Sequence, residues 1–315
     1  MIQNRSQSIR RVLWVVLWLN VVVAVAKLSV GWSIQSLAMM ADGLHSLLDG
    51  SSNVIGLVGV FLAGRPPDED HPYGHHKYEA FSALAISFLL GITAIEVAQM
   101  GVERLRSAVP VQTSLPAMGV MVATMIANLF ITRYESAKGA ALKSEVLLAD
   151  AEHTRSDVYV SLSVLAGLGA SFYGWFWADV LVAFGIAGLI LYISFGILRR
   201  TSSILTDSSV LHPDRVAAVA KTVPEVISCS NIRSRGMSPY LYVDMEIQID
   251  PDLPLWKAHR IAHEVMERCK QELDALDVVV HVEPPSIAPG EPARPVSGMT
   301  FGKPDLPDDP TREPS

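Results

Sequence analysis

The sequence predicts a bundle of six transmembrane helices followed by a small cytoplasmic α+β domain. Half of the 315 residues are hydrophobic, and the mean hydropathy is +0.31. Six apolar stretches approach or exceed the length of about 20 residues that crosses the hydrocarbon layer as a helix. After Arg200 this character ends, and the residues follow the patterns of half-buried strands and an amphipathic helix. The chain therefore divides into a membrane part and a polar part.

The six predicted spans differ in how purely apolar they are. Their bounds are 12–31, 34–63, 80–101, 114–132, 146–173 and 177–198. The first carries one charged residue, Lys27, whereas the second and fifth carry several acidic and histidine residues. Charged groups inside a bilayer are costly and usually face the bundle interior or a water-filled cavity. The second and fifth spans are therefore where we expect function.

Lysine and arginine lie mostly in the segments that share a side with the amino terminus. The segments on the other side hold only Arg104 and Arg106. Because positive residues mark the cytoplasmic side, both termini are predicted to be cytoplasmic. The predicted organisation is a cytoplasmic amino terminus, a transmembrane domain, a cytoplasmic polar domain and a disordered tail. These regions cover residues 1–11, 12–204, 205–286 and 287–315.

The polar part is predicted to have the order α-β-β-α-β, with the helices on one face of a sheet. The expected elements are a helix at 211–222, strands at 226–234 and 241–249, a helix at 255–273 and a strand at 278–282. The net charge of −7 gives no basic footprint for nucleic acid. Cys229 and Cys269 lie far apart, which predicts reduced thiols and no disulfide framework.

The second and fifth spans each carry a histidine and an aspartate four residues apart: His45 and Asp49, and His153 and Asp157. Residues four apart lie on the same face of a helix, so each span presents an imidazole beside a carboxylate. Two such helices packed face to face form a four-ligand site of two nitrogens and two oxygens. This donor set suits Zn²⁺ better than Mg²⁺ or Cu(I). Polar contacts that serve helix packing alone are the alternative.

Two further groups are candidate metal ligands. In the loop between the second and third spans, Asp68, His71 and His75 are close enough in sequence to bind one ion. The alternative is a charged, solvated loop that concentrates cations. In the polar domain, Glu246, His281 and Glu283 lie on predicted strands, and His259 lies on the helix four residues before His263. Ordinary surface residues are the alternative there.

Three segments resemble the cation diffusion facilitator family, most closely its bacterial iron/zinc efflux branch. They read Ala-Asp-Gly-Leu-His-Ser-Leu-Leu-Asp at 41–49, His-Pro-Tyr-Gly-His-His-Lys-Tyr-Glu at 71–79 and Asp-Ala-Glu-His-Thr-Arg-Ser-Asp at 150–157. The resemblance extends over about residues 10–286. It implies a multi-pass homodimer of the cell inner membrane that exports divalent metal ions and is not an enzyme.

The resemblance also implies roles for individual residues. It assigns the transport site to His45, Asp49, His153 and Asp157, and the loop site to Asp68, His71 and His75. It makes residues 205–286 a metal-sensing and dimerisation domain, with a cytoplasmic metal site at the dimer interface on His259, His281 and Glu283. It also places a charge interlock on Lys77 and Asp207. The chain departs from the family where Glu246 replaces a histidine and Glu283 replaces an aspartate.

The predicted function is export of Zn²⁺ in exchange for protons by alternating access. The histidines would serve as ligands and proton carriers, and Zn²⁺ as both substrate and regulatory ligand, with no prosthetic group. His45 favours zinc, because relatives of broader metal use carry aspartate there. The alternatives are export of Fe²⁺, Cd²⁺, Co²⁺ or Mn²⁺, a transport-inactive metal sensor or scaffold, and a membrane metalloenzyme.

Overall fold

The computed structural model describes residues 2–33, 37–106, 115–172 and 176–285. Six long helices come first: α1 (Ile2–Ser33), α2 (Leu37–Ala63), α3 (Lys77–Arg106), α4 (Leu115–Leu142), α5 (Glu145–Phe172) and α6 (Phe176–Leu205). The polar domain comprises α7 (Pro213–Ala220), β1 (Ser228–Met237), β2 (Tyr240–Gln248), α8 (Leu255–Leu273) and β3 (Asp277–Glu283). The predicted fold class is confirmed. The predicted tail at 287–315 lies outside the described residues.

Several helices extend beyond the apolar spans that predict them. α1 begins at Ile2 rather than at residue 12, and α6 ends at Leu205 rather than at 198. Intrahelical hydrogen bonding continues after the hydrophobic stretch ends. Hydropathy therefore predicts the part of the helix that crosses the bilayer, but not the full length of the helix. Four described segments are long and apolar enough to cross a membrane: Asn4–Ser33, Gly43–Ala63, Lys77–Glu103 and Val180–Leu205. The membrane crossings of α4 and α5 stay predictions.

The six helices pack as three main pairs around a buried interior. The most extensive pairings are α1 with α2, α3 with α6 and α4 with α5. One buried cluster includes Leu13, Val60, Ile86 and Leu147, which come from α1, α2, α3 and α5. Within a bilayer such contacts stabilise through close packing, because lipid tails are as apolar as the side chains.

A buried ion pair joins helices at the end of the bundle where α1 and α3 begin and α6 ends; we call this the domain end. The Arg5 guanidinium donates to Glu79 at 2.9 Å, and Ser144 Oγ donates to the same carboxylate at 2.5 Å. Arg5 also donates to the carbonyl oxygens of Leu142, the last residue of α4, and of Lys143 in the turn that follows. These contacts fix α1, α3 and the α4–α5 turn together.

The polar domain has a three-stranded sheet in the order β1-β2-β3, with β1 and β2 antiparallel and β2 and β3 parallel. The predicted alternation of β2 is confirmed. From Leu241 onward its buried residues alternate: Leu241, Val243, Met245 and Ile247, followed by Ile249. β1 begins two residues later and ends three later than predicted. A register shift between Ser230 and Arg233 and a glycine at φ +103°, Gly236, interrupt the alternation that marks a strand.

Candidate metal-binding sites

α2 presents His45 and Asp49 on one face, one helical turn apart. His45 Nε2 lies 3.8 Å from Asp49 Oδ1. The Asp49 side chain is largely buried, at 18% exposure, whereas that of His45 is half exposed, at 52%. Because α2 continues for about 18 Å before Asp49 and about 21 Å after it, the carboxylate lies near the middle of the helix.

α5 brings a second imidazole to the same carboxylate. His153 Nε2 lies 3.9 Å from Asp49 Oδ1, and the His153 side chain is 5% exposed. Among the described residues, no polar atom is within hydrogen-bonding distance of either His153 ring nitrogen. Two ligand atoms that each lie about 2.1 Å from a tetrahedral Zn²⁺ are about 3.4 Å from one another. A shift of about 0.5 Å would therefore bring each imidazole nitrogen close enough to Asp49 Oδ1 to share one ion with it. This geometry suits a shared ion.

Asp157 completes the group by lining a cavity beside His45 and Asp49. The cavity has a volume of about 70 Å³. Its other described walls come from α1 to α5: Lys27, Ser46, Thr93, Glu96, Val97, Met100, Asn128, Val160 and Ser161. Glu96 is about 28 Å along α3 from the domain end, so the cavity lies towards the opposite end of the bundle.

A buried polar layer lies between this group and the domain end. Asn20 of α1 donates to Asn53 of α2 at 2.9 Å, and Asn53 donates to Asp150 of α5. Thr154 Oγ1 donates to Glu135 of α4 at 3.2 Å. Asp150 and Glu135 are fully buried. Sequence reasoning did not single out Glu135, because the predicted fourth span ends at residue 132. A carboxylate one helical turn beyond a span was the available signal.

The loop group forms a compact cluster. His71 Nδ1 lies 3.1 Å from one Asp68 oxygen, and His75 Nε2 lies 3.3 Å from the other. One ligand atom from each of the three residues lies within 4.8 Å of the others. Among the described residues, no other group of three or more histidine, cysteine, aspartate or glutamate side chains brings its ligand atoms this close together. The loop site is therefore the most closely assembled of the three predictions.

Backbone groups position the loop ligands. The His71 backbone N–H donates to Asp68 Oδ1 at 2.7 Å, which with the neighbouring histidines lowers the pKa of this carboxyl. The His75 Nδ1 is 3.2 Å from the carbonyl oxygen of Pro66. A proton on that nitrogen leaves Nε2 as the metal-binding atom facing Asp68. Gly74, at φ +84°, makes the turn between the two histidines.

The same loop contacts the polar domain. Lys77 Nζ lies 2.9 Å from Asp207 Oδ1, as the resemblance implies, and this pair joins the start of α3 to the end of α6. His76 is buried and stacks on Tyr240, with ring centroids 4.6 Å apart. Burial lowers the pKa of His76, which favours the neutral ring. The sequence did not indicate this contact, because nothing in it pairs the loop with the β1–β2 turn.

The candidate site of the polar domain is not assembled within one chain. Glu246 and His281 are neighbours on β2 and β3, and His281 Nε2 lies 3.3 Å from Glu283 Oε1. Glu246 accepts from Asn231 Nδ2 at 2.6 Å. His259 instead contacts His263 on the exposed side of α8. The helix covers one face of the sheet while His281 points away from the core, which keeps these histidines apart.

Comparison with known proteins follows this division of the chain. The family model described as the cation efflux transmembrane domain matches residues 13–206, and the model of the cation efflux protein cytoplasmic domain matches 211–285. The chain belongs to the cation diffusion facilitator family. It is therefore a multi-pass membrane protein of a family of cation transporters.

Relatives from this family align along most of the chain. The manganese efflux system protein MneS of Bacillus subtilis is 31% identical over 84% of this chain and 91% of its own length. The cation-efflux pump FieF of Salmonella newport is 27% identical over 84% of this chain and 89% of its own. A solved MamM C-terminal domain is 26% identical, with a TM-score of 0.21, over 22% of this chain and 91% of that one.

Proposed function

We propose that this protein exports a divalent transition metal ion, with Zn²⁺ as the first candidate, in exchange for protons. His45, Asp49, His153 and Asp157 would bind the ion in the middle of the bundle. The convergence of His45 and His153 on the Asp49 carboxylate carries the proposal. In a member of a cation efflux family, a buried carboxylate between two imidazoles is suited to hold the transported ion.

The choice of zinc rests on the donor set. Two imidazoles and two carboxylates match the tetrahedral preference of Zn²⁺, but imidazole also binds Co²⁺, Ni²⁺ and Fe²⁺. A relative named for manganese efflux and another named for cation efflux both align with this chain. Fe²⁺, Cd²⁺, Co²⁺ and Mn²⁺ are therefore the other substrates to measure.

Proton exchange follows from the chemistry of the ligands. Carboxylates and imidazoles bind a metal ion in their deprotonated forms, so binding and protonation compete at the same atoms. In the proposed cycle, the quartet captures the ion from the cytoplasmic side. Protons entering from the opposite side then displace it. In this cycle the cavity that His45, Asp49 and Asp157 line is the transport site, and the ion leaves from it towards the end opposite the polar domain.

The proposed setting is the cell inner membrane, with both termini in the cytoplasm and the protein as a homodimer. Arg5 of α1 and the polar domain lie at the same end of the bundle, since Arg5 lies over the Tyr240 ring at 5.9 Å. In this proposal a cytoplasmic metal site would form between two chains, on His259, His281 and Glu283, with Glu246 nearby. Two chains are needed because His259 lies apart from His281 and Glu283 within one chain. Metal bound there would bias transport.

The test of substrate identity is metal transport by the purified protein in proteoliposomes. Zn²⁺, Cd²⁺, Fe²⁺, Co²⁺ and Mn²⁺ are each supplied with an opposing pH gradient, beside an Asp157→Asn variant. We expect zinc to move fastest and the variant to lose transport of every ion. Transport that survives in Asp157→Asn would contradict the proposed site. A protein that binds metal but moves none would instead be a sensor, and iron-dependent oxygen consumption would indicate an enzyme.

A further inference from the structure

Lys27 is a cationic residue in the cavity of a proposed cation carrier. It belongs to α1, lines the cavity together with His45, Asp49 and Asp157, and is 8% exposed. Its ammonium donates to Ser46 Oγ at 2.8 Å, and Ser46 directly follows His45 on α2. Burying an ammonium is costly, so its presence here calls for a reason beyond packing.

The position of Lys27 would allow a less costly arrangement. It lies six residues before the end of α1 at Ser33, which is about 9 Å along the helix. Lysines near the end of a membrane helix commonly extend their ammonium to the interface. Here the ammonium instead contacts α2 inside the bundle. The fold thus keeps a fixed positive charge next to the quartet.

The charges around the cavity match a divalent ion. The formally charged residues in its described lining are Lys27, Asp49, Glu96 and Asp157. With neutral imidazoles, three carboxylates and one ammonium leave a formal charge of minus two. One divalent cation neutralises that charge, whereas without Lys27 an uncompensated carboxylate would remain. In a site of low dielectric, one unit of charge strongly changes the affinity for an ion.

We propose that Lys27 determines specificity and release by setting the charge of the transport cavity. Its ammonium would partly balance Asp49 and Asp157 in the metal-free stage of the cycle and repel the bound ion. Affinity is thereby kept low enough for the ion to leave, as conduction and transport require. This inference rests on the proposed function, since it takes the cavity to be the transport site.

The test measures Zn²⁺ binding by calorimetry on the purified full-length protein in detergent. All variants are made in a His71→Ala/His75→Ala background, which removes the loop ligands. Lys27→Met and Lys27→Gln remove the charge, and Lys27→Arg keeps it. We expect both neutral variants to bind Zn²⁺ on the order of tenfold more tightly and to turn over more slowly in proteoliposomes at saturating zinc. Lys27→Arg should keep the affinity of the background.

A purely structural Lys27 gives the opposite pattern. If the bond to Ser46 merely holds α1 against α2, the neutral variants and Ser46→Ala bind zinc equally well or more weakly, and the inference is overturned. Two neutral variants are used so that the test still stands if one of them does not fold. Folding is judged from the elution profile in size-exclusion chromatography. Asp49→Ala in the same background tests the proposed function separately. If it binds as the background does, the quartet assignment fails whatever the Lys27 variants show.

Discussion

The half-exposed imidazole of His45 is the quartet member that bears most directly on metal choice. It lies 3.8 Å from Asp49 and borders the cavity, so a shorter oxygen ligand can be placed there without disturbing the buried His153. Oxygen ligands suit harder ions such as Mn²⁺ better than imidazole does. The identity of residue 45 should therefore change selectivity more than it changes the fold.

We accordingly expect His45→Asp to retain transport while the ratio of zinc to manganese transport falls about tenfold or more. The measurement is competition between the two ions in proteoliposomes, with Glu69→Asp in the exposed loop as the control. Unchanged selectivity in His45→Asp would show that the residue does not coordinate the ion.

Cys269 is a second residue with a measurable property. It is fully buried under the sheet, and burial raises the pKa of its thiol from the ordinary 9.0 to about 11. The folded state therefore favours the neutral thiol. The stability that this confers is complete below about pH 9 and is lost as the pH rises towards 11.

At about pH 8 we expect Cys269 to resist alkylation in the folded protein and to react fully in concentrated guanidinium chloride. Cys229, which is half-buried and whose pKa is also raised by burial, should react more slowly than a free thiol but sooner than Cys269. Mass spectrometry of the labelled peptides measures both rates. Rapid labelling of Cys269 without denaturant would contradict the described core.

Among elements, the loop between α2 and α3 is built to hold an ion before any ion binds. The turn at Gly74, the Asp68–His71 backbone bond and the Pro66 carbonyl already position the ligands. Little ordering is then needed on binding, which favours affinity. The neighbouring Asp70 is exposed and lies outside the described cluster, so it offers a matched control.

We expect Asp68→Asn to remove one bound zinc per chain, because it takes away the carboxylate that both histidines approach. Asp70→Asn should keep the full stoichiometry. Calorimetric titration of the two variants against the wild type measures the difference. Equal stoichiometry in all three proteins would argue for a loop that is merely charged and solvated.

An ion pair and an aromatic stack, which differ in strength, attach the polar domain to the helix bundle. Lys77 and Asp207 are more than a third exposed, and such pairs contribute about 0.2–1 kcal/mol. The His76–Tyr240 stack is buried, and loss of a buried aromatic ring costs several times more, about 3–5 kcal/mol. The stack should therefore dominate the attachment of the polar domain.

We expect Tyr240→Ala to expose residues 208–211, between α6 and α7, to limited proteolysis more than Lys77→Ala does. The control is Tyr192→Ala, which removes an aromatic ring that is 76% exposed on α6. This variant should be cleaved at the same rate as the wild type. Faster cleavage in Lys77→Ala than in Tyr240→Ala would reverse the assigned strengths.

For the molecule as a whole, the sequence predicts what depends on local periodicity. The fold class and the alternation of β2 follow from hydropathy, and the two His-x-x-x-Asp pairs mark α2 and α5 because few polar groups are tolerated inside a bilayer. The extent of β1 could not be predicted, since a register shift and a glycine at positive φ interrupt its pattern.

Contacts between segments that lie far apart in the chain could not be predicted from the sequence either. Glu135 accepts a hydrogen bond from Thr154, and His76 stacks on Tyr240, more than 160 residues later in the chain. No rule of sequence spacing predicts such pairs. The resemblance placed His259 and His281 in a site between two chains, and since they lie apart within one chain, that site stays a prediction. The site assignments as a whole stay predictions that functional measurements must decide.

The measurement that tests the central claim most directly is zinc-driven proton flux in proteoliposomes that contain a pH-sensitive dye. The wild type and Asp49→Ala are compared at equal reconstituted amounts, so that the carboxylate between the two imidazoles is the single difference. We predict that zinc drives a proton flux of opposite direction in the wild type and that Asp49→Ala abolishes it. Zinc transport without proton movement in the wild type, or an undiminished flux in Asp49→Ala, would contradict metal–proton exchange at this site.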